Sequence, residues 1–196
     1  MPNILIVYGT SYGQSGKIAS AIGQELEKVG HRVSIFESQF APQSPELQNY
    51  DAIIVGASLI AGRYQRSLKN WVKVHSPTLT QKPSAFYSVC MAIRAKEESA
   101  KGQVRNTVTD FFKWSNWQPE TWTIFAGAAC YTKYNWFIKR MMRWISQKAG
   151  GDTDMTRDYE YTNWNDVRDF AQKISERLLM PMPHISGMPS SPEKLA

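Results

Sequence analysis

Short unbroken runs of apolar residues alternate with amphipathic segments along most of this chain. The runs at 4–8, 52–56 and 85–91 consist mainly of β-branched, aromatic and small residues, without a regular polar position. A strand with this pattern is buried on both faces, as in a parallel sheet that is covered by helices on each side. The pattern therefore predicts an α/β fold made of βαβ units.

The order of these segments narrows the fold further. Strands are predicted at 4–8, 33–36, 52–56, 85–91 and 121–126, and helices at 16–29, 68–74, 97–114 and 167–179. Gly30 is placed to end the first helix, and Thr162 or Asn163 is suited to cap the last one. Five strands in this order are typical of the smaller doubly wound sheets, which bind their ligand at the carboxyl ends of the strands, beside the first strand.

Composition and cysteine content limit the class of protein. The 196 residues are 42% hydrophobic and 20% charged, which is typical of one globular domain. We predict a domain over 1–179 and a disordered tail over 180–196, where proline and serine are frequent. The two cysteines and three histidines form neither a disulfide framework nor a metal-ligand spacing, so a reducing compartment and no metal site are expected.

Charge and hydropathy bear on location and partners. The chain shows no signal-peptide pattern and no apolar run of membrane-spanning length, so a cytoplasmic protein is expected, with any membrane contact peripheral. Its net charge is +6 at neutral pH. That charge favours an anionic partner, but alone it does not choose among nucleic acid, an acidic protein and a membrane surface.

The segment between the first strand and the first helix is the most specific one in the chain. It carries glycines at 9 and 13 and hydroxyls at Thr10, Ser11 and Ser15. Backbone N–H groups and the helix dipole at such a turn attract phosphate, and the hydroxyls add donors. The spacing is neither the dinucleotide nor the nucleoside-triphosphate fingerprint, and the lack of a fixed cation suits a monophosphate. Spacing alone also permits an ordinary strand-to-helix turn.

This segment resembles the signature of the flavodoxin family, which runs here from Ile6 to Ala19. Only Ser15 departs from the family pattern, since threonine is usual there, and the hydroxyl is kept. The resemblance implies a flavodoxin-like three-layer sandwich with a five-stranded parallel sheet in the order 2-1-3-4-5 and a long insertion at the fifth strand. It also implies that the phosphate of FMN is held by Thr10, Ser11, Tyr12, Gly13, Gln14 and Ser15.

Flavodoxins hold the flavin ring with the loops that follow the third and fourth strands. In this chain those loops contribute Ser58, Leu59, Ile60, Ala61, Gly62, Ser88, Val89, Cys90, Met91 and Ala92. Small residues there let the backbone approach a flat ring. Tyr64 is a candidate to stack on the ring, with an exposed loop aromatic as the alternative. Cys90 and Cys130 are interpreted as small buried thiols in preference to a redox pair.

A basic and aromatic insertion, 131–148, follows the fifth strand and contains five cations and no acidic residue. One helical face is predicted to hold Phe137, Met141, Trp144, Ile145 and Lys148, with Lys139, Arg140 and Arg143 mostly elsewhere. Such a helix is typical of one that lies on an anionic membrane surface. The alternative is that its apolar face packs on the sheet and its cations are solvated. Nucleic acid is not expected, because no recognition module is present.

Up to about Leu179, the chain looks like the menaquinone-dependent protoporphyrinogen oxidase branch of the flavodoxin family. The likeness rests on the insertion and on short motifs in the same order, at 56–58, 83–89, 126–128, 150–154 and 161–164. It implies an FMN-dependent enzyme of haem biosynthesis that oxidises protoporphyrinogen IX with a quinone as electron acceptor, at the inner face of the cell membrane. Lys139, Arg140 and Arg143 are then candidates to attract either the porphyrinogen propionates or lipid phosphates. The tail departs from the branch, and so does the apolar stretch 59–61, which puts substrate choice in doubt.

Three other functions remain open from the sequence. One is a flavodoxin-type electron carrier, although such carriers are typically acidic and this chain is basic. The others are an NAD(P)H:quinone reductase and a flavin-free binding module. No catalytic residue is predicted, because the flavin supplies the chemistry.

Overall fold

A five-stranded parallel sheet lies between two layers of helices. In the computed structural model, which describes residues 1–44, 46–148, 152 and 154–179, the strand order is β2-β1-β3-β4-β5 and every neighbouring pair is parallel. The predicted fold class and strand order are therefore confirmed. The switch point of the sheet lies between β1 and β3, where the prediction placed the ligand.

The bounds of the elements follow. The sheet contains β1 (Asn3–Gly9), β2 (Arg32–Glu37), β3 (Ala52–Ser58), β4 (Ser84–Val89) and β5 (Thr121–Phe125). The helices are α1 (Gln14–Lys28), α2 (Arg66–Gln81), α3 (Glu98–Ser115), α4 (Trp136–Lys148) and α5 (Trp164–Leu179). Two short antiparallel strands, β6 (Ala128–Ala129) and β7 (Tyr159–Glu160), pair outside the main sheet. Single 3₁₀ turns cover Glu46–Asn49, Met91–Arg94 and Tyr131–Lys133.

The sheet divides the apolar interior into two clusters. On one side α2 and α3 pack over Leu5, Val55 and Phe86. On the other side α1 and α5 pack over Ile4 and Ile54. Because successive side chains of a strand point to opposite faces, β1, β3 and β4 meet an apolar layer at nearly every position. This is the physical reason that these strands appear in the sequence as unbroken apolar runs.

Some predicted boundaries were wrong. Helix α2 runs to Gln81, whereas the sequence predicted an end near residue 74. Helix α1 begins at Gln14, two residues before the predicted start, so Gln14 and Ser15 belong to its first turn. Asn163 is the cap of α5, because its Oδ1 accepts a hydrogen bond from Asn165 N at 3.1 Å. The tail 180–196 lies outside the described residues, so the division at residue 179 stays a prediction.

The insertion after β5 folds back against the carboxyl end of the sheet. Ala129, Tyr131 and Met142 form a third apolar cluster with Met91, which follows β4. The Tyr131 hydroxyl donates to Ser146 Oγ at 2.9 Å and ties the start of the insertion to the end of α4. Within the described part of the chain, no helix is both long and apolar enough to cross a membrane.

Candidate functional site

A cleft of about 270 Å³ opens at the carboxyl edge of the sheet, beside the start of α1. Three predicted segments meet there, namely the turn after β1 and the loops after β3 and β4. The predicted residues that line the cleft are Tyr12, Gln14, Ser58, Leu59, Ile60, Ala61, Gly62, Val89, Cys90, Met91 and Ala92. The structure therefore brings together residues that are up to about 80 positions apart in the sequence.

The turn before α1 is shaped as an anion site. The first helical hydrogen bond runs from Lys17 N to Gly13 O at 3.1 Å, so the N–H groups of residues 14–16 have no partner within the helix. Gly13 has a φ of 95°, which a residue with a Cβ adopts only with strain. Thr10 Oγ1 accepts the Gly13 N–H at 2.8 Å and closes the turn.

Ser15 lies at the centre of this turn. Its hydroxyl is fully buried and has no hydrogen-bond partner among the described residues. Its carbonyl accepts the hydroxyl of Tyr87, a β4 residue, at 2.9 Å. A Cβ at Gly56 would lie 1.9 Å from Tyr87 Cζ, so the glycine of β3 leaves the space through which Tyr87 reaches α1.

Two further side-chain contacts fix the turn to its surroundings. Gln14 Nε2 donates to Thr162 Oγ1 at 2.9 Å, and Thr162 in turn donates to Ala126 O at 2.8 Å. On the other side, Gln65 Nε2 donates to Ser11 Oγ at 2.8 Å. The turn is thereby attached to the segment before α5 and to the start of α2.

The loop after β3 forms one wall of the cleft as a tight turn. Ile60 and Arg63 pair through two backbone hydrogen bonds of 3.1 and 2.9 Å. Between them, Ala61 and Gly62 have φ values of 49° and 73°, as in a type I′ turn. The apolar stretch that departs from the protoporphyrinogen oxidase pattern therefore lies on the cleft wall.

The loop after β4 forms the facing wall, but not every predicted side chain reaches the cleft. Cys90 N donates to Phe125 O at 3.0 Å and continues the pairing of β4 with β5. Ser88 is fully buried on the other side, and its Oγ lies 3.0 Å from the Tyr64 hydroxyl. Tyr64 packs against Phe86 and Phe111 in the core. Because Tyr64 is buried in the core, both interpretations of it, a flavin-stacking ring and a partly exposed loop aromatic, were wrong.

The cleft is electrically neutral. None of its described lining residues carries a formal charge. Burial raises the pKa of the Cys90 thiol, and burial followed by nearby Asp158 raises that of Cys130, so both remain protonated near neutral pH. Burial likewise raises the pKa of Tyr12. The cleft thus contains no ionised base, and its neutral thiols fit the interpretation as small buried groups.

Part of the cleft was not predicted from the sequence. Helix α3 contributes Ala100, Gln103, Val104 and Thr107, the segment after β5 contributes Gly127, Ala128 and Cys130, and the insertion contributes Tyr134, Ile138 and Met142. The ring of Tyr134 meets that of Tyr12 edge-on, with centroids 4.6 Å apart. The available signal was the four-residue spacing of Ile138 and Met142, which places both on one side of α4.

The side of α4 that packs against the protein is not the predicted apolar face. Its buried side carries Ile138, Met142 and Ser146, whereas the predicted face included Phe137 and Trp144. These two side chains are 69% and 57% exposed. The alternative, in which this face packs on the protein, is therefore wrong for these two side chains, and contact of the face with a membrane stays a prediction. Helix α4 has two apolar stripes, and the one that packs is set by its partners Met91 and Tyr131. The side chains of Ile145 and Lys148 lie outside the described part.

The arrangement fits the predicted cofactor. A phosphate monoester would meet the buried Ser15 hydroxyl and the N–H groups of the first turn of α1, which together supply donors without a cation. A flat apolar ring system would fit between the loops after β3 and β4, where the lining is neutral. The neutral, mainly apolar cleft is of the kind that small molecules and cofactors occupy.

Known proteins resemble this chain in both sequence and structure. A family model described as a flavodoxin domain matches residues 5–156. A protein of Escherichia coli K12 named protoporphyrinogen IX dehydrogenase (quinone) is 34% identical over 171 residues, which cover 87% of this chain and 93% of that protein. A protein of Leishmania major with the same name is 32% identical over 89% of this chain and 75% of its own length. Flavodoxin 2 of Bacillus cereus superposes with a TM-score of 0.55 at 16% identity, over 89% of this chain and 99% of that one.

Proposed function

This chain belongs to the flavodoxin-domain family, and from that premise we propose that it is an FMN-dependent, quinone-linked protoporphyrinogen IX dehydrogenase. The proposal rests on the coincidence of two findings. The phosphate turn and the neutral cleft suit FMN, and the relatives that align with most of the chain carry this enzyme's name. We place the reaction in haem biosynthesis.

The protein's own residues bind and orient the reactants. FMN bound here would supply the chemistry of hydrogen transfer between the porphyrinogen and the quinone. Residues Thr10–Ser15 would hold its phosphate, and the loops at 58–62 and 89–92 would enclose its ring. The apolar walls exclude water, and the protonated Cys90 thiol offers no competing nucleophile at neutral pH. The described lining of the cleft carries no charged side chain and thus offers no ionised general base.

One assay tests the activity. FMN-loaded protein would be mixed anaerobically with protoporphyrinogen IX, with and without a menaquinone analogue, and porphyrin fluorescence would be recorded. We expect porphyrin to form at a rate that depends on the quinone, while protein stripped of FMN remains inactive. Absence of quinone-linked porphyrin formation would refute the proposal, and rapid oxidation of NAD(P)H would favour a nicotinamide-dependent quinone reductase. Electron transfer to an acidic protein without porphyrin formation would favour an electron carrier.

We also propose that α4 holds the enzyme on an anionic membrane, at the cytoplasmic face of the cell membrane. Trp136 and Phe137 are 74% and 69% exposed, and the exposed cations Arg140 and Arg143 lie on the same helix. Apolar and aromatic side chains beside cations are suited to the headgroup region of a membrane. Each cation near an anionic leaflet adds about 1 kcal/mol.

The membrane proposal is tested with point substitutions. A deletion of the insertion would also remove Tyr134, Ile138 and Met142 from the cleft wall. We expect Trp136→Ser/Phe137→Ser to reduce sedimentation with phosphatidylglycerol vesicles severalfold while FMN binding is unchanged. The matched control is Phe40→Ser/Val74→Ser, which removes two equally exposed apolar side chains elsewhere. Equal vesicle binding by both variants would contradict the proposal.

A further inference from the structure

We propose that a groove between α2 and α3 binds the carboxylate side chains of the porphyrinogen, a proposal that rests on the proposed function. This groove, which we call the α2–α3 groove, has a volume of about 520 Å³. It adjoins the cleft, because Gly62 and Thr107 line both. A ligand that lies against the α3 side of the cleft, beside a flavin held by the loops, can therefore extend one edge into the groove.

Positively charged side chains line the α2–α3 groove, whereas the described lining of the cleft is uncharged. Arg63, Arg66 and Lys69 line it, and no ion pair engages any of the three among the described residues. Asp110 is the single acidic residue of the described lining, and its carboxylate lies 3.5 Å from Lys113. The groove thus presents an excess of positive charge directly beside an uncharged pocket.

Aromatic side chains form the floor of the groove and position one of its cations. Trp114 is 44% exposed and stacks on Phe111 with an interplanar angle of 21°. Lys69 Nζ lies 4.5 Å from the centroid of the Trp114 ring. Lys73 Nζ donates to Trp114 O at 2.8 Å and fixes the end of α3 to α2. Trp114 therefore holds Lys69 at the groove, beside the exposed side chains of Arg63 and Arg66.

The combination of a neutral cleft and a cationic groove matches the porphyrinogen better than it matches the quinone. A porphyrinogen has an apolar macrocycle with two carboxylates on one edge, and a quinone ring has no charge. The neutral side chains that α3 and α4 add to the cleft, beside the loops assigned to the flavin, suit the macrocycle, and the adjoining cations suit the carboxylates. Arg63 and Arg66 flank the start of α2, from which their guanidinium groups can pair with carboxylates in a bidentate manner.

The kinetic test compares two double variants in the FMN-loaded protein. We expect Arg63→Ala/Arg66→Ala to raise the KM for protoporphyrinogen IX about tenfold, with little change in kcat, because two cations that bind the substrate are lost. Arg168→Ala/Lys173→Ala removes the same charge from exposed positions of α5, on the opposite side of the sheet, and should leave KM unchanged. FMN affinity should equal that of the wild type in both variants.

A binding measurement separates this proposal from the proposed function. Quenching of tryptophan fluorescence would be titrated with protoporphyrin IX and with its dimethyl ester. The wild type should prefer the free acid, and Arg63→Ala/Arg66→Ala should lose that preference. If the preference survives in the variant, the groove proposal is overturned although turnover persists. If the wild type binds the free acid selectively but forms no porphyrin, the proposed function alone is overturned. If Arg63→Ala/Arg66→Ala raises only the KM for NADPH, the groove binds a dinucleotide and the groove proposal is overturned.

Discussion

The hydroxyl of Ser15 is surrounded by protein, yet no described residue offers it a hydrogen bond. A buried hydroxyl in this state costs about 1–3 kcal/mol. The adjacent N–H groups of residues 14–16 also lack helical partners. A phosphate at the start of α1 would satisfy both the hydroxyl and these N–H groups, so binding would remove a deficit that the folded chain carries.

The unpaired hydroxyl of Ser15 leads to a prediction about FMN affinity. We expect Ser15→Ala to weaken FMN binding by at least about tenfold, because a hydrogen bond to a charged group contributes about 1.5–3 kcal/mol. The cofactor-free variant should be no less stable than the wild type, since no hydrogen bond of the folded chain is lost. Titration of protein with FMN by flavin fluorescence measures the dissociation constant.

The control is Ser15→Thr, which keeps the hydroxyl and should retain most of the affinity. A Ser15→Ala protein that binds FMN as tightly as the wild type would contradict the role of this hydroxyl. So would a loss of affinity that is equal in the alanine and threonine variants, because it would then arise from shape and not from a hydrogen bond.

At the scale of single residues, roles that depend on sequence neighbours were predictable, and roles that depend on partners distant in the sequence were not. Thr10, Gly13 and Ser15 are neighbours in the chain, and their function follows from one strand-to-helix turn. The position of Tyr64 depends on Phe86 and Phe111, which meet it only in the folded core. Ser88 likewise faces Tyr64 and not the cleft. Sequence spacing contains no information about such partners.

At the scale of elements, α4 shows why an amphipathic pattern can be ambiguous. Apolar residues at 138 and 142 and at 137 and 144 both follow helical spacing. The first pair packs toward the cleft, and the second faces outward. The choice depends on Met91 and Tyr131, which lie outside the helix. The sequence could therefore predict that a helix forms there, but not which stripe it buries.

The predicted helix α2 was too short, and the side chains around Pro77 explain how the helix continues past that residue. Pro77 lies inside the helix and has no N–H to donate to the carbonyl of Lys73. Ser76 Oγ donates to that carbonyl instead, at 3.2 Å. The side chain thus satisfies a backbone acceptor that the proline leaves open, and the helix extends to Gln81.

This substitute hydrogen bond predicts a loss of stability. We expect Ser76→Ala to lower the free energy of unfolding by about 0.5–1.5 kcal/mol, because the Lys73 carbonyl loses its side-chain donor. Urea unfolding followed by circular dichroism measures the difference. Ser20→Ala in α1 is the control, since Ser20 is exposed and alanine favours a helix, so that variant should be as stable as the wild type or more so. Equal stability of the two variants would contradict this account.

At the scale of the whole molecule, the parallel sheet determines where function collects. Since all five strands run in one direction, the loops after β1, β3 and β4 meet at one edge. This much followed from the order of apolar runs and helices. The part of the cleft wall that comes from α3 and the insertion did not follow from that order. Packing around the cleft, and not chain order, brings Thr107 and Met142 to the cleft. The α2–α3 groove escaped prediction for the same reason.

Two buried histidines on opposite sides of the sheet bear on the stability of the entire fold. His31 Nε2 lies 2.8 Å from Ser175 Oγ of α5, and its Nδ1 has no partner among the described residues. His75 in α2 lies 3.0 Å from Gln43 Oε1 through its Nε2. Burial lowers the pKa of both imidazoles, and the positive N-terminus lowers that of His31 further.

These lowered pKa values predict acid-induced weakening of the fold. Below the ordinary histidine pKa of about 6.5, the unfolded chain binds protons that the folded chain resists, so stability falls as the pH decreases toward the folded-state pKa values. We therefore expect the free energy of unfolding in urea to be lower at about pH 5.5 than at about pH 7.5. In His31→Gln/His75→Gln this difference should shrink, because neither substituted side chain titrates, whatever the variant's absolute stability. A double variant with the wild-type pH dependence would show that the decline arises from other groups.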